Sequence, residues 1–128
     1  MNLLLDTHIW IWSKLEPKQL GRRVRAELSN PDNELWLSPV SVWETLVLMQ
    51  KGKIRVDNPF VWVKRAAEQL REAPITHEIV STGLALTLLP SDPADRFLAA
   101  TAKVLDLTLV TADQRLLGLG EISSLANR

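Results

Sequence analysis

A short run that is apolar at every position, Leu3-Leu4-Leu5, constrains the fold of this chain most strongly, and Leu107 to Val110 reads as a second, largely apolar strand. A strand with one wet face alternates apolar and polar residues, whereas an unbroken run suits a strand covered on both faces. Segments with helical spacing lie between the runs. Residues 7–14 fit a short helix, and 18–29 a longer one with basic residues on its outer face. Pro31-Asp32-Asn33 is a turn, followed by a strand from Glu34 to Leu37. Ser38 then sets a capping hydroxyl ahead of Pro39, which opens a helix over 39–50 that stops near Gly52. Asn58-Pro59 starts a helix running to about Arg71, a brief strand is expected at 74–76, and a helix at 77–88. Asp92-Pro93 starts a helix to 105 whose buried face carries Ala94, Phe97, Leu98, Thr101 and Leu105. Asp113 to Leu117 reads as a helical turn, and Ile122 to Ser124 as a last edge strand. Strands and helices in this alternation predict an α/β fold: one domain, residues 1–128, with a parallel sheet covered on both sides. Ligands in such folds bind beyond the carboxyl ends of the strands, near a switch in strand order.

Composition removes several function classes. No apolar stretch reaches the roughly 18 residues of a membrane span, and the run Val40 to Met49 is broken by Glu44. The first residues carry no basic segment and turn polar at Asp6, so no secretion signal is expected. With no cysteine, disulfide frameworks, zinc fingers and thiol catalysis fall away, and a reducing cytoplasm is the expected location. Fifteen basic residues balance fifteen acidic ones. A protein that coats nucleic acid would carry a basic excess, so any nucleic-acid contact is expected to be local and small.

The carboxylates stand where such a fold places its chemistry. Asp6 follows the first strand and Asp113 follows the strand ending at Val110, so both are expected at the carboxyl edge of the sheet. Each also suits the cap of the helix after it. Glu44 sits in Val40-Ser41-Val42-Trp43-Glu44-Thr45-Leu46-Val47-Leu48-Met49, a helix apolar almost all round and expected to be buried on most of its surface. A buried carboxylate needs a partner or a proton, and Lys51 is the basic alternative to a functional role. Asp92 fits the N-cap before Pro93, whereas Asp95, three residues on, lies at the edge of the buried face and is the better functional candidate. If Asp6, Glu44, Asp95 and Asp113 converge, their repulsion calls for a hard divalent cation. Oxygen ligands without a Cys or His cluster select Mg²⁺ or Mn²⁺, singly or as a pair, to activate water at a phosphodiester.

Leu4-Leu5-Asp6-Thr7, Ser41-Val42-Trp43-Glu44, Asp92-Pro93-Ala94-Asp95-Arg96 and Leu109-Val110-Thr111-Ala112-Asp113 resemble, in order and spacing, the motifs of PIN-domain nucleases. Among these the likeness is to the VapC-type toxins of toxin–antitoxin modules, over essentially the whole chain. The resemblance implies a three-layer α/β/α sandwich around a parallel sheet and an acidic site for Mg²⁺ or Mn²⁺. Position by position, Asp6, Glu44, Asp95 and Asp113 match the family's acidic quartet, with Asp6, Asp95 and Asp113 expected as metal ligands and Glu44 as a further ligand or an orienter of water. Asp92 matches a helper position, and Thr7 and Thr111 match hydroxyls that orient carboxylates or water. It further implies an endoribonuclease that leaves 5′-phosphate and 3′-hydroxyl ends on single-stranded or looped RNA. The partners implied are a second copy of the chain and a cognate antitoxin, with DNA met only through the antitoxin. One position departs: some relatives carry another acid two residues after Asp113, where this chain has Arg115. That leaves three or four ligands, too few to imply a second tightly held ion.

Other conspicuous residues have plainer readings. Of the five tryptophans, Trp10, Trp12, Trp36, Trp43 and Trp62, most are expected in the core or an interface rather than against bases. Trp10 and Trp12 cannot both face inward on one helix. His8 and His77 read as surface or capping residues, and the basic runs 21–25 and 51–55 as solvated faces. Two rival functions stay open at this point: a catalytically silent binding module of the same fold, and a phosphoryl-transfer enzyme using Asp6 as nucleophile. The second acid such phosphatases want two residues on is replaced by His8.

Overall fold

Five strands, β1 (Asn2–Leu5), β2 (Glu34–Leu37), β3 (Arg71–Glu72), β4 (Thr108–Thr111) and β5 (Ser123–Ala126), pair in parallel in the order β3-β2-β1-β4-β5. This is seen in the computed structural model, which describes residues 1–86 and 92–128. Helices α1 (Thr7–Leu15), α2 (Arg22–Ser29), α3 (Pro39–Gln50), α4 (Pro59–Ala67), α5 (His77–Ala85), α6 (Pro93–Val104) and α7 (Gln114–Leu117) fill the connections among the described residues. Because successive strand side chains point to opposite faces, the apolar runs feed two separate cores. Leu4 and Leu109 join Ile79, Leu98, Ala99, Ala102 and Leu116 on one face. Leu3, Leu5 and Val110 join Ile9, Trp10, Val24, Met49 and Val63 on the other. The result is the three-layer α/β/α sandwich with a central parallel sheet that the resemblance implied.

The chain builds β1, β2 and β3 outward in one direction, then returns to lay β4 and β5 on the other side of β1. The switch in strand order therefore falls between β1 and β4. The backbone N–H of Asp6 donates to the carbonyl of Val110 at 3.0 Å, carrying the ladder to the sheet edge. Asp6 and Asp113 leave from adjacent strand ends, which places the site candidates at that crevice.

Local chemistry explains the element ends. Ser38 caps α3 by accepting from the N–H of Val40 at 3.1 Å, with Pro39 at the first helical position. At the other end Gly52 adopts φ 72°, and the N–H groups of Gly52 and Lys53 return to the carbonyls of Met49 and Leu48. That pattern is a Schellman closure, which a residue with a Cβ enters only under strain. Arg96 ties α6 to α5 by donating to the carbonyls of Gly83 and Leu86, at 2.9 and 2.7 Å, where the end of α5 needs donors. A Cβ on Gly83 would stand 3.2 Å from the Arg96 carbonyl, so glycine permits this close approach.

Several boundaries differ from the sequence expectation. The helix expected to reach Arg71 stops at Ala67, and the third strand is Arg71–Glu72 rather than 74–76. Pro74 has no N–H to give a ladder, so pairing must end before it: Trp36 and Leu37 face Arg71 and Glu72, and Ala73 makes the last bond to Leu37 at 2.9 Å. Arg71 fixes this register through an ion pair with Glu34 at 3.3 Å and by lying 5.2 Å over the Trp36 ring. The helix expected over 18–29 is a 3₁₀ turn, Pro17–Gln19, and then α2. The backbone is extended at Leu20 and Gly21, which separates the two, and a Cβ on Gly21 would sit 1.8 Å from the carbonyl oxygen of Arg128. The last strand runs to Ala126, and the helix expected over 77–88 is seen to Ala85, with 87 and 88 outside the described residues.

Helix α3, expected to be buried on most of its surface, is buried or half-buried except at Trp43 and Gln50. It buries Ser41, Thr45 and Met49, while Trp43 is 64% exposed. Its most deeply buried side chains are the small polar Ser41 and Thr45, while Val42, Leu46 and Met49 pack into the core beside α1. Of the tryptophans in α1, Trp10 is fully buried, and Trp12 is half-buried with its ring 5.8 Å from that of His8.

Candidate functional site

Asp6 is the N-cap of α1, yet capping uses only part of its carboxylate. Oδ1 accepts from the N–H of Thr7 at 2.7 Å, and Oδ2 accepts from the Thr111 hydroxyl at 2.6 Å across the β1–β4 crevice. Burial pushes the Asp6 carboxyl up, against the pull of these bonds and of nearby His8, and Asp113 adds repulsion. Thr111 also accepts from the N–H of Asp113 at 3.0 Å, so one hydroxyl spaces both strand-end acids.

Glu44 reaches the same crevice from α3. The Thr7 hydroxyl lies 2.6 Å from Glu44 Oε1 and 2.8 Å from Ser41 Oγ. Thr7 has one proton to give, and an ionised carboxylate can only accept. The consistent arrangement is Ser41 donating to Thr7 and Thr7 donating to Glu44. Lys51, the alternative partner weighed for Glu44, is not among its bonds here. Burial raises the Glu44 pKa, and repulsion from Asp6 and Asp92 raises it further. Ser41 was missed in the sequence. The signal was its place three residues before Glu44, on the same helical face.

Asp95 stands in the first turn of α6, behind Asp92, whose side chain caps Ala94 at 3.0 Å. The Asp95 pKa is pushed up to about 6, by burial first and then by Asp92, Asp113 and Asp6. Asp113 behaves oppositely. It caps α7 through the N–H of Arg115 at 2.8 Å, and the Arg115 side chain holds its carboxyl below the usual range. The structure thus brings Asp6, Glu44, Asp92, Asp95 and Asp113 into one electrostatic neighbourhood, each felt by at least one of the others. Capping and clustering coexist: Asp6, Asp92 and Asp113 each do both.

This neighbourhood fits a hard divalent cation by its chemistry, since its donors are carboxylate and hydroxyl oxygens and its charge is poorly compensated. Among the described residues, however, no three acidic or histidine side chains stand at the spacing of a shared metal ion. The carboxylates are turned onto protein donors instead, Asp6 onto Thr7 and Thr111, and Asp113 onto Arg115.

These shifts carry an expected result for stability. An acid whose pKa is higher folded than unfolded binds more protons in the native state, so stability falls as pH rises through that interval. For Asp95 the interval runs from 3.8 to about 6, and with solvent screening the loss is about 1–2 kcal/mol. Asp6 and Glu44 act in the same direction. In EDTA, Tm is expected to be several degrees higher near pH ~5 than near ~7.5. A Tm that climbs steadily over that range would contradict the clustering.

Comparison with known proteins agrees with this geometry. A family model described as PIN domain matches residues 3–122. Ribonuclease VapC22 of Mycobacterium tuberculosis (strain ATCC 25618 / H37Rv) is 34% identical over 117 residues, covering 90% of this chain and 89% of that protein. VapBC2 from Rickettsia felis, solved bound to a DNA fragment from its promoter, superposes with a TM-score of 0.75 at 17% identity, over 100% of both chains. VapBC-1 from nontypeable Haemophilus influenzae gives 0.70 at 21% identity, over 98% of each. The last two establish the fold, and the family match over nearly the whole length establishes kinship: the chain belongs to the PIN-domain family.

Proposed function

We propose that the chain is an endoribonuclease dependent on Mg²⁺ or Mn²⁺ and the toxin half of a toxin–antitoxin pair. One observation carries the chemical part: five acids share the switch-point crevice, and three of them, Asp6, Glu44 and Asp95, are pushed toward protonation. A site that strains against its own charge is suited to a cation. The relative named a ribonuclease, 34% identical over 90% of this chain, supports RNA as substrate. The similarity to toxin–antitoxin complexes supports a protein antitoxin as partner.

In this reading Asp6, Asp95 and Asp113 would hold the ion, and Glu44 would orient a water or add a ligand. A bound divalent cation would supply Lewis acidity at the phosphate and ease deprotonation of water. The chain's own residues do the rest. Thr111 aims Asp6, Thr7 aims Glu44 with Ser41 behind it, and Asp92 fixes the start of α6 so that Asp95 faces the crevice. No protein nucleophile is required. A second copy of the chain is the proposed partner in a homodimer, DNA is met only through the antitoxin, and the cytoplasm is the proposed location. No helix among the described residues is long and apolar enough to cross a membrane.

The test is cleavage of single-stranded RNA by purified protein with Mg²⁺ or Mn²⁺, beside EDTA. Cutting that EDTA stops and excess metal restores, with 5′-phosphate ends on the products, is the expected result. EDTA-insensitive cutting would count against the metal, and an acyl-phosphate trapped on Asp6 would favour a phosphoryl-transfer enzyme.

A further inference from the structure

Arg115 is the one basic side chain among the described residues bonded to the acidic site, and its geometry is that of a counter-ion. Its guanidinium forks onto Asp113, with Nε 3.2 Å from Oδ1 and Nη2 2.8 Å from Oδ2, and the same Nη2 lies 3.0 Å from Asp95 Oδ2. Asp113 Oδ1 also accepts from the Arg115 backbone N–H at 2.8 Å, so both oxygens of this carboxylate are engaged by one residue. The arginine side chain is 52% exposed, against 15% for Asp95 and 26% for Asp113. It therefore lies on the outer side of the pair, where it can leave without disturbing the core.

We infer that Arg115 is a displaceable counter-ion that competes with a divalent cation for Asp95 and Asp113. This rests on the metal-site reading above and adds the residue that opposes loading. A guanidinium brings one charge and a planar fork that matches a carboxylate edge. A divalent cation brings two charges to the same oxygens, and both cannot hold them at once. With Arg115 seated, Asp113 spends its lone pairs on nitrogen. When Arg115 swings out, Asp95 and Asp113 are left as two adjacent carboxylates whose repulsion a divalent cation can relieve. The residue thereby protects the ion-free fold from self-repulsion and raises the metal concentration needed to fill the site.

The experiment is Mn²⁺ binding by calorimetry on the full chain, comparing the native protein with Arg115→Ala, Arg115→Lys and Arg22→Ala. Arg22 is an exposed charge at the start of α2 and controls for net charge alone. Arg115→Ala is expected to bind Mn²⁺ about tenfold more tightly, the effect of removing a unit charge a few ångströms from a divalent ion in a partly wet site. Arg115→Lys, which keeps the charge but loses the fork, falls between, and Arg22→Ala does not differ from the native chain. As a second readout, Arg115→Ala has a lower Tm in EDTA and a larger rise in Tm on adding Mn²⁺. Equal or weaker Mn²⁺ binding by Arg115→Ala, with the native chain still binding, overturns the counter-ion role and leaves the metal-site reading standing. Absence of binding in every variant overturns both.

Discussion

Asp6→Asn is expected to lower RNA cleavage by about 10³-fold or more while leaving the protein folded and no less stable. The two halves of this result have one cause. Asp6 is the acid most enclosed by the fold, flanked by Thr7 and Thr111, and burial already raises its pKa. Asparagine keeps an oxygen for the N–H of Thr7, which now donates to Oδ1 at 2.7 Å. The amide nitrogen replaces Oδ2 opposite Thr111, and that hydroxyl can rotate to accept. The substitution removes a charge that the fold holds against desolvation and repulsion, so Tm holds or rises. What is lost is the anionic oxygen between β1 and β4, and with it a ligand for the cation of the proposed function. Cleavage rates and thermal unfolding measured on the same preparation decide the matter. Full activity in Asp6→Asn would remove this residue from the site, and loss of activity with collapse of the fold would reduce it to a structural cap.

The sequence made the sheet and most of the acidic cluster legible, for physical reasons that also explain the misses. Leu3-Leu4-Leu5 and Leu107 to Val110 are apolar on both faces because both faces are covered, and that property survives without knowledge of the partners. Asp6, Asp92 and Asp113 were legible because they stand at strand ends and helix caps, positions set by local rules, and Glu44 because it interrupts an apolar helix. Asp95 was placed correctly at the edge of the buried face of α6, where it is half-buried. What failed was pairing and packing. The position of β3 depends on Trp36 and Glu34 meeting Arg71, a contact across 35 or more residues that no local pattern encodes. The near-uniform apolar composition of α3 predicts burial over most of its surface and does not single out the hydroxyls of Ser41 and Thr45. Ser41 and Thr45 are buried because each has a partner, Ser41 through Thr7 and Thr45 through the Ser41 carbonyl at 2.8 Å. Arg115 was noticed as a departure from the resemblance, but its fork onto Asp113 and Asp95 became visible only in three dimensions.

Trp10→Ala should produce the largest loss of stability of any single substitution considered, about 3–5 kcal/mol. Trp10 is the largest fully buried side chain, and it belongs to the core between the sheet and α1, α2, α3 and α4. Its ring lies 5.7 Å from that of Trp62, tilted by 50°, and its Nε1 donates to the carbonyl of Ala66 at 3.3 Å. Truncation removes the packing, leaves a cavity that the rigid sheet cannot close, and strips the donor from a helix-end carbonyl. Against a typical total of about 5–15 kcal/mol, that is a large share of the fold's stability. For a chain of this size Tm should fall by roughly 10–20 °C. Function should suffer too, because Trp10 stands one turn beyond Asp6 and Thr7 on the same helix. An α1 that no longer sits firmly on the sheet would loosen the Thr7 bond to Glu44, so the activity per folded molecule should drop as well. Trp10→Phe separates the contributions. It retains most of the buried area and loses the indole N–H, so it should cost about 1–2 kcal/mol and restore most of the activity. If Trp10→Ala unfolds within about 2 °C of the native chain, α1 is not anchored through this residue. The positioning of Asp6 and Thr7 would then have to rest on the β1–β4 edge alone.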